Sequence, residues 1–258
     1  MTEVWQAVES VLVDYSLVTA FAVVGGIIWL SYGISNRLTG GWLHGSAIAI
    51  LLGLLIAYFG GIVTGGKQGI ADIECLAGVG LMGGTMLRDF AIVATAFGVR
   101  LDVFLKTGVI GFISLLAGVF LAFLIGALVA YAFGYRDAVS MTTIGGGAAT
   151  YIVGPVTGTA LGASSEVLAL SVAAGLVKSI LVMTMTPFVA GWIGLDNPRS
   201  ALIFGGLLGT TSGVAGGLAA TDEKLVPYGA MTATFYTGLG CLVGPSIVFV
   251  AIRAAVGA

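Results

Sequence analysis

SMTTIGGGAATYIVGPVTGTALGASS, residues 140–165, decides how this chain is read. It carries six glycines, a proline, eight serines or threonines and no charge, between long apolar runs. In hydrocarbon every backbone N–H and C=O must find an internal partner, so an irregular segment cannot face lipid. The stretch must be packed inside protein or line a watery cavity. Gly145-Gly146-Gly147 are expected to break a helix at mid-membrane, and Pro155 strengthens the break by removing a donor. A broken helix exposes N–H groups, which attract anions, and C=O groups, which with nearby hydroxyls suit sodium. The competing reading is close helix packing through small residues. That reading fits the Gly118, Ala122, Gly126, Ala130 stripe in the preceding apolar run.

Composition sets the class. Of 258 residues, 58% are hydrophobic and 9% charged, where a soluble domain carries about 25% charged. The mean hydropathy is +1.11. Such a chain cannot cover a water-facing surface, so it reads as an integral membrane protein in contact with lipid. A net charge of −2 with no basic patch argues against nucleic acid. His44 is the single histidine, which excludes a multi-histidine metal site. Cys75 and Cys241 read as small buried hydrophobes. There is no G-x-S-x-G, HExxH or Walker loop, so no enzyme, cofactor or transition-metal site is expected.

The fold class expected is an all-α polytopic membrane protein with discontinuous or re-entrant helices, organised as one transport domain over residues 1–258. Residues 1–15 read as a short amphipathic helix. Apolar runs at 16–35, 45–63, 72–98, 107–133, 167–193, 200–220 and 226–252 each have the roughly 20 residues a span needs. That gives seven transmembrane segments, or eight if 140–165 also crosses. Broken-helix regions are expected at about 78–98, 140–165 and 226–245. With seven spans, Arg37, Arg100, Lys106, Arg199 and Arg253 share one side, which the positive-inside rule makes cytoplasmic. A candidate internal repeat aligns ATAFGVRLDVF with GTALGASSEVL at an offset of 64, and internal repeats are the usual construction of secondary transporters.

Charges inside spans are expensive and point to function. Arg88 is expected to anchor an anion, and Asp89 to hold a cation or cap a helix; a helix mouth open to water accounts for them equally well. Lys178, near the centre of its run, is a lesser candidate that snorkels or pairs with an acid such as Asp89.

The segments LTGGWLHGSAIAILLGLLIAYFGG (38–61), LMGGTMLRDFAIVATAFG (81–98) and TTIGGGAATYIVGPVTGTALG (142–162) resemble the MadM subunit of the bacterial malonate transporter, over essentially the whole chain. The resemblance implies a secondary carrier of the bacterial cytoplasmic membrane that takes up malonate with sodium beside a smaller membrane subunit, MadL. The glycine-broken pattern is also similar to elevator-type carriers and to holin-like LrgB proteins. Chemistry and position put the substrate on Arg88, Thr142, Thr143, Gly145, Gly146, Gly147, Thr150, Thr157 and Thr159. They put the coupling sodium on Asp89, Thr95, Thr234 and Thr237. The alternatives are a proton-coupled anion carrier or antiporter, and a non-transporting holin-like or scaffold subunit.

Overall fold

The computed structural model describes residues 2–41, 43, 45–65, 69–82, 105 and 108–257. The described residues are helical and turn, without strand, and divide into two compact units, Met1–Phe97 and Gly98–Ala258. Arg88, Asp89 and Thr95 lie outside the described residues.

In the first unit, α1 (Thr2–Asp14) leads into α2 (Ser16–Leu38), which pairs with α3 (Gly45–Thr64). A Cβ at Gly45 would stand 2.6 Å from the Tyr32 ring, so only glycine lets these two helices meet there. The short α4 (Ala77–Leu81) returns to the start of α2, where a Cβ at Gly78 would lie 2.2 Å from the Ser16 carbonyl.

The second unit follows a regular plan. The long α5 (Gly108–Ala132) is followed by two short helices, α6 (Ala138–Ala149) and α7 (Val153–Leu161). The long α8 (Ser165–Val189) is again followed by two short ones, α9 (Pro198–Leu208) and α10 (Thr211–Ala219). A third long element closes the chain: α11 (Val226–Val243), a π-turn (Gly244–Val248) and α12 (Phe249–Val256). The helices of 25 residues are about 37 Å long, whereas arms of 9 to 12 residues reach only about 14–18 Å. Half the thickness of a hydrocarbon core is about 15 Å. The short arms therefore end near the middle of the bundle.

Contacts fix their direction. Gly147 packs on Gly154 and Thr143 on Gly158, so α7 runs back along α6 as an antiparallel hairpin. Its open end joins Ala127, Ala130, Met141, Ile144 and Val167 in one apolar cluster. Likewise Ala190, Ala201, Phe204, Leu218 and Leu225 gather the end of α8, both outer ends of α9 and α10 and the start of α11 at the opposite end. The pair α9–α10 is thus a second hairpin, entering from the other end of the unit. Each local sequence supports its break. The Asp137 carboxylate accepts the Ser140 N–H to start α6, and Asn197 with Ser200 forms a capping box with Pro198 to start α9. Gly162 and Gly209, both left-handed, end α7 and α9.

Two expectations are corrected here. Gly145-Gly146-Gly147 do not break the helix: α6 runs straight through them and stops at Thr150. Three consecutive glycines project about 100° apart, and each meets a different neighbour. A Cβ would stand 2.8 Å from the Phe123 carbonyl of α5 at Gly145, 3.2 Å from Gly154 of α7 at Gly146, and 2.1 Å from the Ser171 carbonyl of α8 at Gly147. The run 200–220, expected to cross as one span, is instead interrupted at Gly209-Thr210. The helices long and apolar enough to cross a membrane are four among the described residues: Ser16–Leu38, Gly108–Ala132, Ser165–Val189 and Glu223–Val256.

The packing stripe on α5 is as expected, and each end serves a different hairpin. Gly118 abuts Gly206 and Leu207 of α9, and Gly126 abuts Gly145 and Ala148 of α6. The opposite face of α5, with Ile113, Leu124 and Leu128, stays exposed and apolar.

Candidate functional site

The two hairpin tips, Thr150-Tyr151-Ile152 and Gly209-Thr210, both touch one face of α8. Gly175, Lys178 and Ser179 are spaced three and four residues apart, so they share that face. Tip one seats on Gly175, where a Cβ would stand 2.2 Å from the Tyr151 nitrogen. Lys178 donates from Nζ to the Ala149 carbonyl at 2.8 Å. Tip two seats one residue further on: the Ser179 and Thr210 hydroxyls are hydrogen-bonded, and Ser212 Oγ lies 3.4 Å from Ser179 Oγ.

Tyr236 of α11 is the plate behind both tips. It is fully buried, its hydroxyl donates to the Gly118 carbonyl at 3.1 Å, and its ring lies 5.2 Å from the Lys178 ammonium. Gly209 presses on the ring face so closely that a Cβ would approach to 2.2 Å; its φ of +70° also favours glycine. An ammonium on an aromatic face gains roughly 0.5–2 kcal/mol. Within the long helices of this unit, Lys178 is the charged side chain far from either end among the described residues. Among the described residues its contacts are a carbonyl and a ring; Asp89, the acid expected as its partner, lies outside them.

The surrounding groups add hydrogen-bond donors beside the ammonium. Thr210, the N-cap of α10, makes no side-chain cap bond, and the first N–H groups of a helix have no intrahelical acceptor. The N–H groups of Thr211, Ser212 and Gly213 therefore open toward a positive helix end, next to the Ser179, Thr210 and Ser212 hydroxyls.

The residues singled out from sequence separate clearly. Thr150 is at tip one; its Oγ1 accepts the Ile152 and Val153 N–H groups at 3.2 and 3.1 Å, which stabilises the turn. Thr142 and Thr143 are buried and donate to their own helix, at Ala138 and Val139. Gly145, Gly146 and Gly147 pack helices as described. Thr157 is fully buried, and its hydroxyl has no hydrogen-bond partner among the described residues. It lies between Gly146 and Gly244 at the π-turn. Thr159 is exposed on the outer part of α7. Thr234 and Thr237 donate to Ala230 and Ala233 within an unbroken α11. Ser179, Gly209, Thr210, Ser212 and Tyr236 went unnoticed in the sequence. The one signal for them was GTTSG at 209–213, a small polar interruption inside an apolar run.

Outside the bundle, at the open end of hairpin one, Tyr135 donates to Glu166 at 2.8 Å, and that bond holds the phenol above its ordinary pKa. Partial burial pushes the Asp137 carboxyl up, but hydrogen bonds from Ser140 and neighbouring N–H groups outweigh it and hold the group below the usual carboxylate value.

No curated protein and no solved structure matches the chain. The family described as the malonate/sodium symporter MadM subunit matches residues 8–256, so this multi-pass membrane chain belongs to the MadM family of malonate/sodium symporter subunits.

Proposed function

We propose that this chain carries malonate with sodium across the bacterial cytoplasmic membrane, and that malonate binds between the two hairpin tips with Lys178 as its anchor. The observation that carries this reading is the placement of one ammonium where two opposed hairpins meet. One carboxylate takes the ammonium, and the other takes the N–H groups and hydroxyls at the start of α10. Malonate is a dianion at neutral pH, so one lysine leaves one negative charge. A co-bound sodium completes neutrality, which explains why substrate and ion travel together.

The hairpins support alternating access. Each reaches the bundle centre from one end, so each acts as the re-entrant gate for one side of the membrane. With three crossing elements in this unit and two opposed hairpins, the architecture is of the elevator kind. A smaller MadL-like subunit completes the complex as its partner.

The test is malonate-dependent thermal stabilisation of the purified chain in sodium, a direct measure of ligand binding. Lys178→Gln is expected to weaken malonate about 30-fold or more, the lower end of the ~2–5 kcal/mol cost of removing one partner from a buried charge pair. Arg88→Gln is the paired variant, because the sequence puts it forward as anchor. Lost affinity there with none lost at Lys178 moves the anchor to Arg88. No malonate shift in any form of the protein supports a scaffold role instead.

A further inference from the structure

The end of α6 presents carbonyl oxygens, and one of them already receives an ammonium, that of Lys178. The last four carbonyls of a helix lack intrahelical donors, and here the Thr150 N–H reaches back to Gly146 alone. Among the described residues the Gly147 and Ala148 carbonyls receive no hydrogen bond, and the Ala149 carbonyl receives only Lys178. Three carbonyl oxygens, of Gly147, Ala148 and Ala149, thus stand at the negative end of α6. Hard cations such as sodium take oxygen ligands of this kind at broken helices. Among the described residues the Lys178 ammonium donates to one of these oxygens, that of Ala149.

We propose that Lys178 stands in the place of a sodium ion at the carbonyl end of α6, so that lysine and sodium exclude each other there and sodium binding releases the ammonium to malonate. The inference rests on the malonate-anchor reading and adds the coupling to it. Without sodium the ammonium is held on Ala149 and is poorly offered to a carboxylate. With sodium on the carbonyls, the ammonium swings free toward the Ser179 and Thr210 side, where the anion is received. Sodium and malonate thus favour the same arrangement, and each raises the other's affinity equally. The Tyr236 ring gives the freed ammonium a second resting surface.

The decisive experiment titrates sodium chloride against choline chloride at constant ionic strength, without malonate, and follows the melting temperature of the full chain. Lys178→Met removes the charge and keeps an apolar stem of similar length. It is expected to lower the half-saturating sodium concentration about tenfold if the ammonium holds the site nine-tenths of the time. An unchanged or weaker sodium response in Lys178→Met overturns the proposal. Should that variant not fold, Lys178→Gln carries the sodium titration, with the same change of about tenfold expected. An unchanged or weaker sodium response there overturns the exchange. Failure of the two ideas is distinguishable: malonate affinity kept in Lys178→Met removes the anchor, whereas an unmoved sodium response removes the exchange.

Discussion

The two hairpins of the second unit do the same geometric job with different packing. In hairpin one, α6 and α7 lie against each other, glycine on glycine, and α6 is also hemmed in by α5 and α8. In hairpin two, α9 and α10 barely touch. Each arm leans instead on a long helix running in its own direction. Gly205 and Gly209 of α9 meet Gly229, Thr232 and Tyr236 of α11, while Gly213, Gly216 and Gly217 of α10 meet Ser179, Met183 and Thr186 of α8. A zipped hairpin moves as one body. A splayed one is held by its neighbours, so its tip is the part freer to shift when a ligand enters between Thr210 and Ser179.

The largest test of that contrast is Gly147→Ala against Gly205→Ala. In both, the new Cβ would stand 2.1 Å from a backbone carbonyl oxygen, of Ser171 and of Gly229 respectively. The α6 arm is packed on three sides, its own partner arm among them, whereas α9 makes little contact with its partner arm. Gly147→Ala is expected to cost about 3 kcal/mol or more and to give little folded protein by size exclusion. Gly205→Ala is expected to cost about 1–2 kcal/mol and to remain folded. Equal losses would erase the distinction between the hairpins.

A middle-sized effect, of opposite sign, is expected from Thr157→Val. The hydroxyl is buried without a partner among the described residues, and an unpaired buried hydroxyl costs about 1–3 kcal/mol. The isosteric valine should therefore stabilise hairpin one, seen as a raised melting temperature with unchanged malonate affinity. Loss of malonate binding would return Thr157 to the substrate site, where the sequence alone had put it.

The smallest effect sits at the base of hairpin one. The folded-state carboxyl of Asp137 is held below its ordinary value, so its contribution is complete above about pH 4. It is lost as the pH falls through the lower folded value. Asn is an equally good N-cap without a titrating group. Asp137→Asn should match the parent protein at neutral pH and fall off less under acid, in melting curves recorded from pH 7 to pH 3. A parallel acid profile would assign the acid loss to other carboxylates.

Much of hairpin one was legible beforehand, because glycine, proline and threonine crowd residues 140–165 between clean apolar runs. The position of its break was not. A glycine triplet lowers helix stability in isolation, yet here each glycine has a partner helix against it, and packing outweighs the propensity cost of about 1 kcal/mol per glycine. Hairpin two was hidden for the opposite reason. Residues 200–220 are long and apolar enough to cross, and a two-residue break at Gly209-Thr210 leaves little trace in hydropathy. The first copy of the offset-64 repeat, residues 94–104, lies outside the described residues; among those described, a long helix followed by two arms begins at Gly108 and again at Ser165.

Sequence alone determined the medium, the all-helical class and the family, because hydropathy and long shared segments are local properties of the chain. It also singled out the charge at 178 inside an apolar run, to be met by snorkelling or by pairing with an acid. Only the tertiary structure decided which partner. Lys178 reaches the Ala149 carbonyl across 29 positions of sequence, and Ser179 meets Thr210 across 31. Contacts of that range depend on how two hairpins of opposite entry converge on one helix face, and no local pattern encodes that convergence.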